Sequence, residues 1–315
     1  MAVRVAGPAE GAGVTGAGNG ADNASVEPLQ HVAYVYDGTT EGLLTAVFQT
    51  YALHERPEDM LRQDALQPRL GQSIRFIDTD NALAHRVKVG ICKRAGRQAW
   101  EAVLHASLSD EPQAGMVVCC FVWHIMARPA AQNKGLIHDL AHPIAGPVAK
   151  LSRSVMNERH LMQQFLRFEH FENDVWFARC NPKANVVPLL MDWFAGRFNT
   201  QRFIIYDEVH NVAGIYDGSG WCLAQTDEVH LPLHAKDEAL MQAAWKGFYD
   251  AVAIPARYHP ELQRHFMPKR FWKNILEVKD ELPEPVRSRK LDGRDTVSRL
   301  DGGQTFASDA PSASR

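Results

Sequence analysis

Apolar positions along the chain follow two rhythms, and the points where one gives way to the other outline the elements. A short apolar run at residues 31–36 closes on Asp37-Gly38. Leu44, Val47, Phe48 and Tyr51 then recur at helical spacing behind Thr39 and Thr40, which predicts strand, turn and helix. Residues 74–77 predict another short strand, and residues 82–108, with few breakers, one long helix. The most apolar run, residues 116–126, predicts a buried helix, since it is far short of the roughly 20 residues a membrane span needs. A further long helix is expected over 147–164. Residues 165–182 read as strand on both sides of Asn173-Asp174, and residues 203–218 as strand on both sides of 208–211, so two β-hairpins are expected. Between them lies a helix over 186–198, with Asn185 as its cap, Pro188 in its first turn, and Leu190, Trp193 and Phe194 on one face. Behind Asp237, Met241, Trp245, Phe248 and Val252 recur at spacings of four, three and four, which predicts one more helix.

The expected class is α+β, helices with antiparallel β-hairpins in a single compact body over 29–278. Residues 1–28 and 279–315 carry too few large apolar side chains to offset the entropy of ordering and are expected to be disordered tails.

Composition narrows the function classes. Of 315 residues 45% are hydrophobic and 23% charged, with a net charge of -3, so no global positive field points to nucleic acid and any such surface must be local. Five cysteines without CxxC spacing argue against a zinc ribbon, a secreted disulfide framework or a three-cysteine iron-sulfur loop, and suit a reduced cytoplasm. The N-terminus lacks the apolar stretch of a signal peptide. Neither a membrane association nor a cofactor or metal is expected. Asp78 and Asp80 read better as helix caps than as metal ligands. His138, Asp139 and His142 mimic a zinc-hydrolase helix only superficially, because Pro143 bends the chain out of helical geometry. The DGTT turn at residues 37–40 lacks the lysine and glycines of a phosphate loop.

Three Tyr-Asp pairs, Tyr36-Asp37, Tyr206-Asp207 and Tyr216-Asp217, stand at chain reversals. There an Asp side chain bonds nearby backbone N–H groups while the tyrosine lays its ring on the core. Two segments are locally cationic. Arg86, Lys88, Lys93, Arg94 and Arg97 fall within twelve residues, with Arg86, Lys93 and Arg97 on one helical face. Arg257, Lys269, Arg270 and Lys273 interleave with Tyr258, Phe266, Phe271 and Trp272. Cations with flat rings suit a polynucleotide; a solvated face with its rings on the core is the alternative.

In their order, YVYDGTTEGLLTAVF, the run from Glu158 through His160 to Arg167 and Phe168, PLLMDWFAGRF with Arg197, the Tyr206-Asp207 and Tyr216-Asp217 stretches and MPKRFWKN resemble an uncharacterised bacterial family. That family is labelled with DNA metabolism or DNA repair. The resemblance spans residues 32–277 and includes Gly38. It implies a companion role beside a radical-SAM protein, in a family some of whose members are fused to a uracil-DNA-glycosylase-like domain. The sequence departs from it at Leu161, Gln164 and Phe203, where arginine, glycine and tryptophan are expected, and at His210 or Asn211, where an arginine is expected.

Three functions are therefore open. One is a nucleic-acid-binding companion using Arg86, Lys93, Arg97, Arg257, Lys269, Arg270, Trp272 and Lys273. A second is an enzyme acting on a nucleotide or nucleobase, hydrolase or glycosylase-like, through Glu158, His160 and Asp207. The third is an interaction module anchored by Trp193, Trp221 or Trp272.

Overall fold

A computed structural model describes residues 30–278 except Pro68 and Tyr258. The two expected tails and Tyr258 lie outside the described residues. The elements run β1 (Gln30–Tyr36), α1 (Thr40–Ala52), β2 (Pro57–Arg62), β3 (Ser73–Phe76), α2 (Asn81–Ala95), α3 (Arg97–Ser107), α4 (Ala114–Ala127), the single turn α5 (Ala130–Asn133) and α6 (Ala145–Phe165). There follow β4 (Glu169–Phe171), β5 (Val175–Cys180), α7 (Val187–Arg197), β6 (Arg202–Asp207), β7 (Val212–Tyr216), β8 (Trp221–Gln225), α8 (Glu238–Val252) and α9 (Pro260–Phe266), with a closing 3-10 turn at Lys269–Asn274. The class is α+β.

Two sheets divide the work. The first is parallel, in the order β2-β1-β3, with α1 as the crossover from β1 to β2. The second has the order β4-β5-β6-β7-β8 and is antiparallel except for β5 and β6, which run parallel because α7 connects them. Both expected hairpins form. At the first, Asn173 and Asp174 both take positive φ, 64° and 58°, the left-handed geometry that matches the twist of the flanking strands. At the second, Asn211 takes φ 56° just before β7.

The two largest apolar cores lie one against each sheet, joined by α6, and a smaller cluster of Phe171, Phe177, Tyr206 and Ala213 belongs to the second sheet. Tyr34, Leu43, Val47, Ile91, Phe121 and Ile125 form the first together with Val148 near the start of α6. Val155 and Met162, further along α6, join Leu190, Met191, Phe194, Phe203 and Ile205 in the second. The backbone stitches the halves too, since Asn185 N–H donates to the Leu108 carbonyl at 3.0 Å.

Three expectations change. The single helix over 82–108 is two helices, broken at Gly96, whose φ of 90° and ψ of 172° are closed to residues with a Cβ. Arg86 and Lys93 thus sit on α2 and Arg97 on α3, so they do not share one helical face. Asn185 does not cap α7: Val186 is the capping residue and makes no side-chain capping bond. The helix expected behind Asp237 forms as α8, and its apolar stripe faces outward, with Met241, Phe248 and Val252 each more than half exposed. Strands β2 and β8 were not foreseen.

Of Asp78 and Asp80, only Asp80 caps a helix. Asp80 accepts from Ala82 and Leu83 N–H at the start of α2, and His142 Nδ1 accepts from Ile144 and Ala145 N–H at the start of α6. Residues 116–126 lie within α4, whose Val118, Cys119, Phe121 and Ile125 are fully buried. Among the described residues, no helix is long and apolar enough to cross a membrane.

Candidate functional site

The carboxyl ends of parallel strands leave a crevice, because the chain departs from them to either side. Here the ends of β1 and β2 face the β6–β7 turn and β8 of the other sheet across a cleft of about 340 Å3. Asp37, Gly38, Thr39, Arg62 and Asp64 line one wall; Asn185, Leu189, His210, Val212, Trp221 and Leu223 line the other. A second cavity of similar size runs beside β2 along Met60, Met116, Cys120 and Ile144, and no family-motif residue reaches it.

The Tyr-Asp pairs shape this region as bends. Asp37 Oδ1 accepts from the Thr39 N–H at 2.9 Å and from its hydroxyl at 2.6 Å, while Oδ2 accepts from Thr79 at 2.7 Å, tying the loops after β1 and β3 together. The carboxylate thus fills the place where the DGTT turn could have met a phosphate. Asp217 accepts from Ser219 N–H and hydroxyl and from Gly220 N–H, and these bonds, backbone first, hold its pKa down at about 2. Tyr36, Tyr206 and Tyr216 bury their rings. The Tyr206 hydroxyl reaches the Thr226 and Asp227 carbonyls and that of Tyr216 the Asn199 carbonyl. Burial pushes the Tyr36 phenol up to about 12.

Asp207 does more than turn the chain. It is completely buried, accepts from Val209 and His210 N–H, and meets His210 Nδ1 at 2.5 Å. His210 Nε2 in turn lies 2.9 Å from both Asp110 oxygens, Arg62 Nη1 donates to Asp110 at 2.9 Å, and Arg62 pairs with Asp64. A chain of alternating charge therefore crosses from one sheet to the other. Burial alone would lower the His210 pKa, but its bonds to Asp110 and Asp207 prevail and raise it to about 9, so the ring is protonated at neutral pH. Asp110 resists the opposite effect of burial through His210 and Arg62 and stays below the usual carboxylate range. Asp64 is held low by Arg62. His210 occupies one of the two positions where the resemblance leads one to expect arginine, and it carries the same charge.

The other expected site residues are dispersed. Glu158, buried on α6, accepts from Lys183 N–H at 2.9 Å and from Arg270 at 2.6 Å. His160 lies on the exposed part of the same helix against Gln164. Neither bonds to Asp207. Arg167 pairs with Glu277 at 2.8 Å, Phe168 packs edge-on against Phe194, Phe198 and Phe203, and Arg197 lies over the Trp193 ring. These family-motif residues hold the second core together. Of the cations, Arg270 and Lys273 are engaged by Glu158 and Glu208, and Arg97 by Glu101. Arg86 rests on the Phe48 ring at 4.8 Å. Lys93, Arg257 and Lys269 are exposed, and Trp272 donates to the Met267 carbonyl.

Sequence reasoning missed Arg62, Asp110, Asn185 as a lining group, and His210. Asp110 follows α3 and His210 follows β6, 100 positions later, so no local spacing announced the pair. Asn185 Oδ1 is buried at the cleft with no hydrogen-bond partner among the described residues. In the comparison with known proteins, no curated protein matches the chain. Residues 118–277, just over half of the chain and including α6, α7 and the whole second sheet, match a family described as a domain of unknown function. The chain belongs to that family, DUF4130.

Proposed function

We propose that this chain is a DNA-metabolism protein of the cytoplasm that works beside a radical-SAM partner and holds a nucleobase, free or swung out of a strand, in the cleft between its two sheets. The observation that carries the reading is the meeting, in one cleft, of the Asp37-Gly38 turn and the β6–β7 turn that follows Tyr206-Asp207. These are the stretches on which the resemblance rests, and they lie some 170 residues apart in the sequence. The chemistry of the lining selects the ligand. Trp221 offers a flat face, Leu189, Val212 and Leu223 an apolar wall, and Asn185 a side-chain amide. The ionised lining is nearly balanced, Asp37, Glu41 and Asp64 against Arg62 and protonated His210, which suits a neutral heterocycle better than a phosphate. An unstacked base meets these demands with its ring face and its amino or imino hydrogens.

Binding is better supported than catalysis. Both ring nitrogens of His210 are spent on carboxylates, so it has neither a lone pair to accept a proton nor a free hydrogen to give. Both oxygens of Glu158 are engaged, and Asp207 is sealed.

Titration of the full chain with nucleobases, nucleosides and a short single strand, followed by calorimetry, tests the proposal. Saturable binding is expected, weakened by about 1–3 kcal/mol in Trp221→Ala, the usual worth of one stacked base. With Arg97, Arg270 and Lys273 engaged by acids, strand binding should depend only shallowly on salt. Absence of binding by every base, nucleoside and strand would overturn the reading. The companion role stands or falls separately, on whether a tagged chain brings down a radical-SAM protein.

A further inference from the structure

Helix α8 is mounted with its polar side inward. Its buried side chains are Glu238 and Gln242. Glu238 accepts from the His170 N–H of β4 at 2.9 Å and from Gln242 at 2.8 Å. These polar contacts tie the helix to the body, while Leu240 (71%), Met241 (54%), Trp245 (43%), Phe248 (58%), Val252 (55%) and the following Ile254 (52%) are left exposed. A soluble helix normally does the reverse, so an outward apolar face of this extent marks a surface that is covered by another molecule.

The spacing says what covers it. Met241, Trp245, Phe248 and Val252 stand four, three and four residues apart. This is the seam of a two-helix packing, in which side chains of one helix enter the gaps of a facing helix. The positions that flank the seam are Gln242, which is turned to the body, Ala244, Tyr249 and Ala251, all uncharged, whereas Lys246 and Asp250 lie off it. An identical helix therefore meets no like charge across the seam, and the small alanines permit close approach. The area is also sufficient. With a fully exposed aromatic worth about 150–250 Å2, the four seam side chains and Tyr249 beside them expose roughly 500 Å2 per copy. Two copies together reach roughly 1,000 Å2, about the least that a specific interface needs. We infer that α8 is the self-association surface of this protein and that its occupant is the α8 of a second copy.

The test is the solution mass of the full chain by sedimentation or light scattering over a concentration series. A dimer is expected that persists at raised salt, because its seam is apolar. Phe248→Glu should give a monomer at every concentration where the unchanged protein is dimeric, and Phe248→Leu should remain dimeric. Both variants should keep the circular dichroism spectrum and melting temperature of an intact fold, since the residue supports no core. A monomeric unchanged chain overturns the inference, even if some other protein proves to sit on the helix. So does a dimer that Phe248→Glu leaves intact.

Discussion

A fully buried carboxylate needs its charge answered inside the protein, and Asp207 is answered by two backbone N–H groups and by His210. The histidine is held protonated in turn by a second carboxylate, Asp110. Its folded pKa of about 9 lies above its ordinary 6.5, so the folded state binds this proton more tightly than the unfolded chain does. The stability it contributes is complete below pH 6.5 and is lost as the pH rises through about 9. The size is on the order of 3 kcal/mol, from about 1.4 kcal/mol per pH unit over the interval between the two values. In urea unfolding followed across that range, the chain should weaken with rising pH, and His210→Gln should be weaker below pH 6.5 and nearly flat above it. A His210→Arg variant, which keeps the charge at all these pH values, should remove the slope without the loss. An unchanged slope in either variant would show that another group carries it. At this scale Asp207 was legible as a turn residue, because an Asp two or three residues before free N–H groups has a local physical use. Its link to Asp110 was not, because a hydrogen bond between loops 100 residues apart leaves no mark on the spacing of either.

Elements were legible where the local chain dictates them. Asn173-Asp174 between two alternating runs left little choice but a tight hairpin, since both residues tolerate positive φ. Gly96 was passed over because one glycine within an otherwise helical run often stays helical; here its φ of 90° ends α2 and starts α3 in a new direction. Gly96→Ala meets no atom within 4 Å, so its cost is backbone strain alone, about 1–3 kcal/mol in thermal or urea unfolding. A neutral substitution would mean that the two helices can merge. Gly214 is a different case. It faces α7, where an added Cβ would lie 2.2 Å from Met191 Sδ and 2.9 Å from Val187 Cγ1, so the glycine is what lets α7 pack on β7. Strand β2 escaped notice because PEDMLR opens on proline and carries three charged residues, and β8 because WCLAQ is a short run without polar alternation.

At the scale of the molecule, two cores share one long helix and meet across a cleft bridged by the run of charges from Asp207 to Asp64. Asp110 is the middle of that bridge and serves both His210 and Arg62. Asp110→Ala leaves the two cations facing each other without their shared acid. Because Asp110 is itself exposed, the change should cost about 1–2 kcal/mol, less than the loss of one partner of a fully buried pair, and should also weaken ligand binding in the cleft. Unfolding by urea, paired with calorimetry of a bound nucleoside, measures both. If stability falls and affinity does not, the bridge is architecture only.

What the sequence by itself determined is what short-range physics decides: the two hairpins, the buried α4, the cap of α2, the Asp bends and the helical periodicity of α8. Each follows from backbone geometry or from spacing within about a dozen residues, which the chain carries wherever it is placed. Only the tertiary structure decided which sides those elements present and which charges they share. It turned the apolar stripe of α8 to solvent, gave Arg270 and Lys273 to Glu158 and Glu208, and set His210 between Asp207 at the end of β6 and Asp110 in the loop after α3. Those outcomes depend on through-space distances between residues remote in the sequence, and burial and Coulomb energies act on distance in space, not on position along the chain.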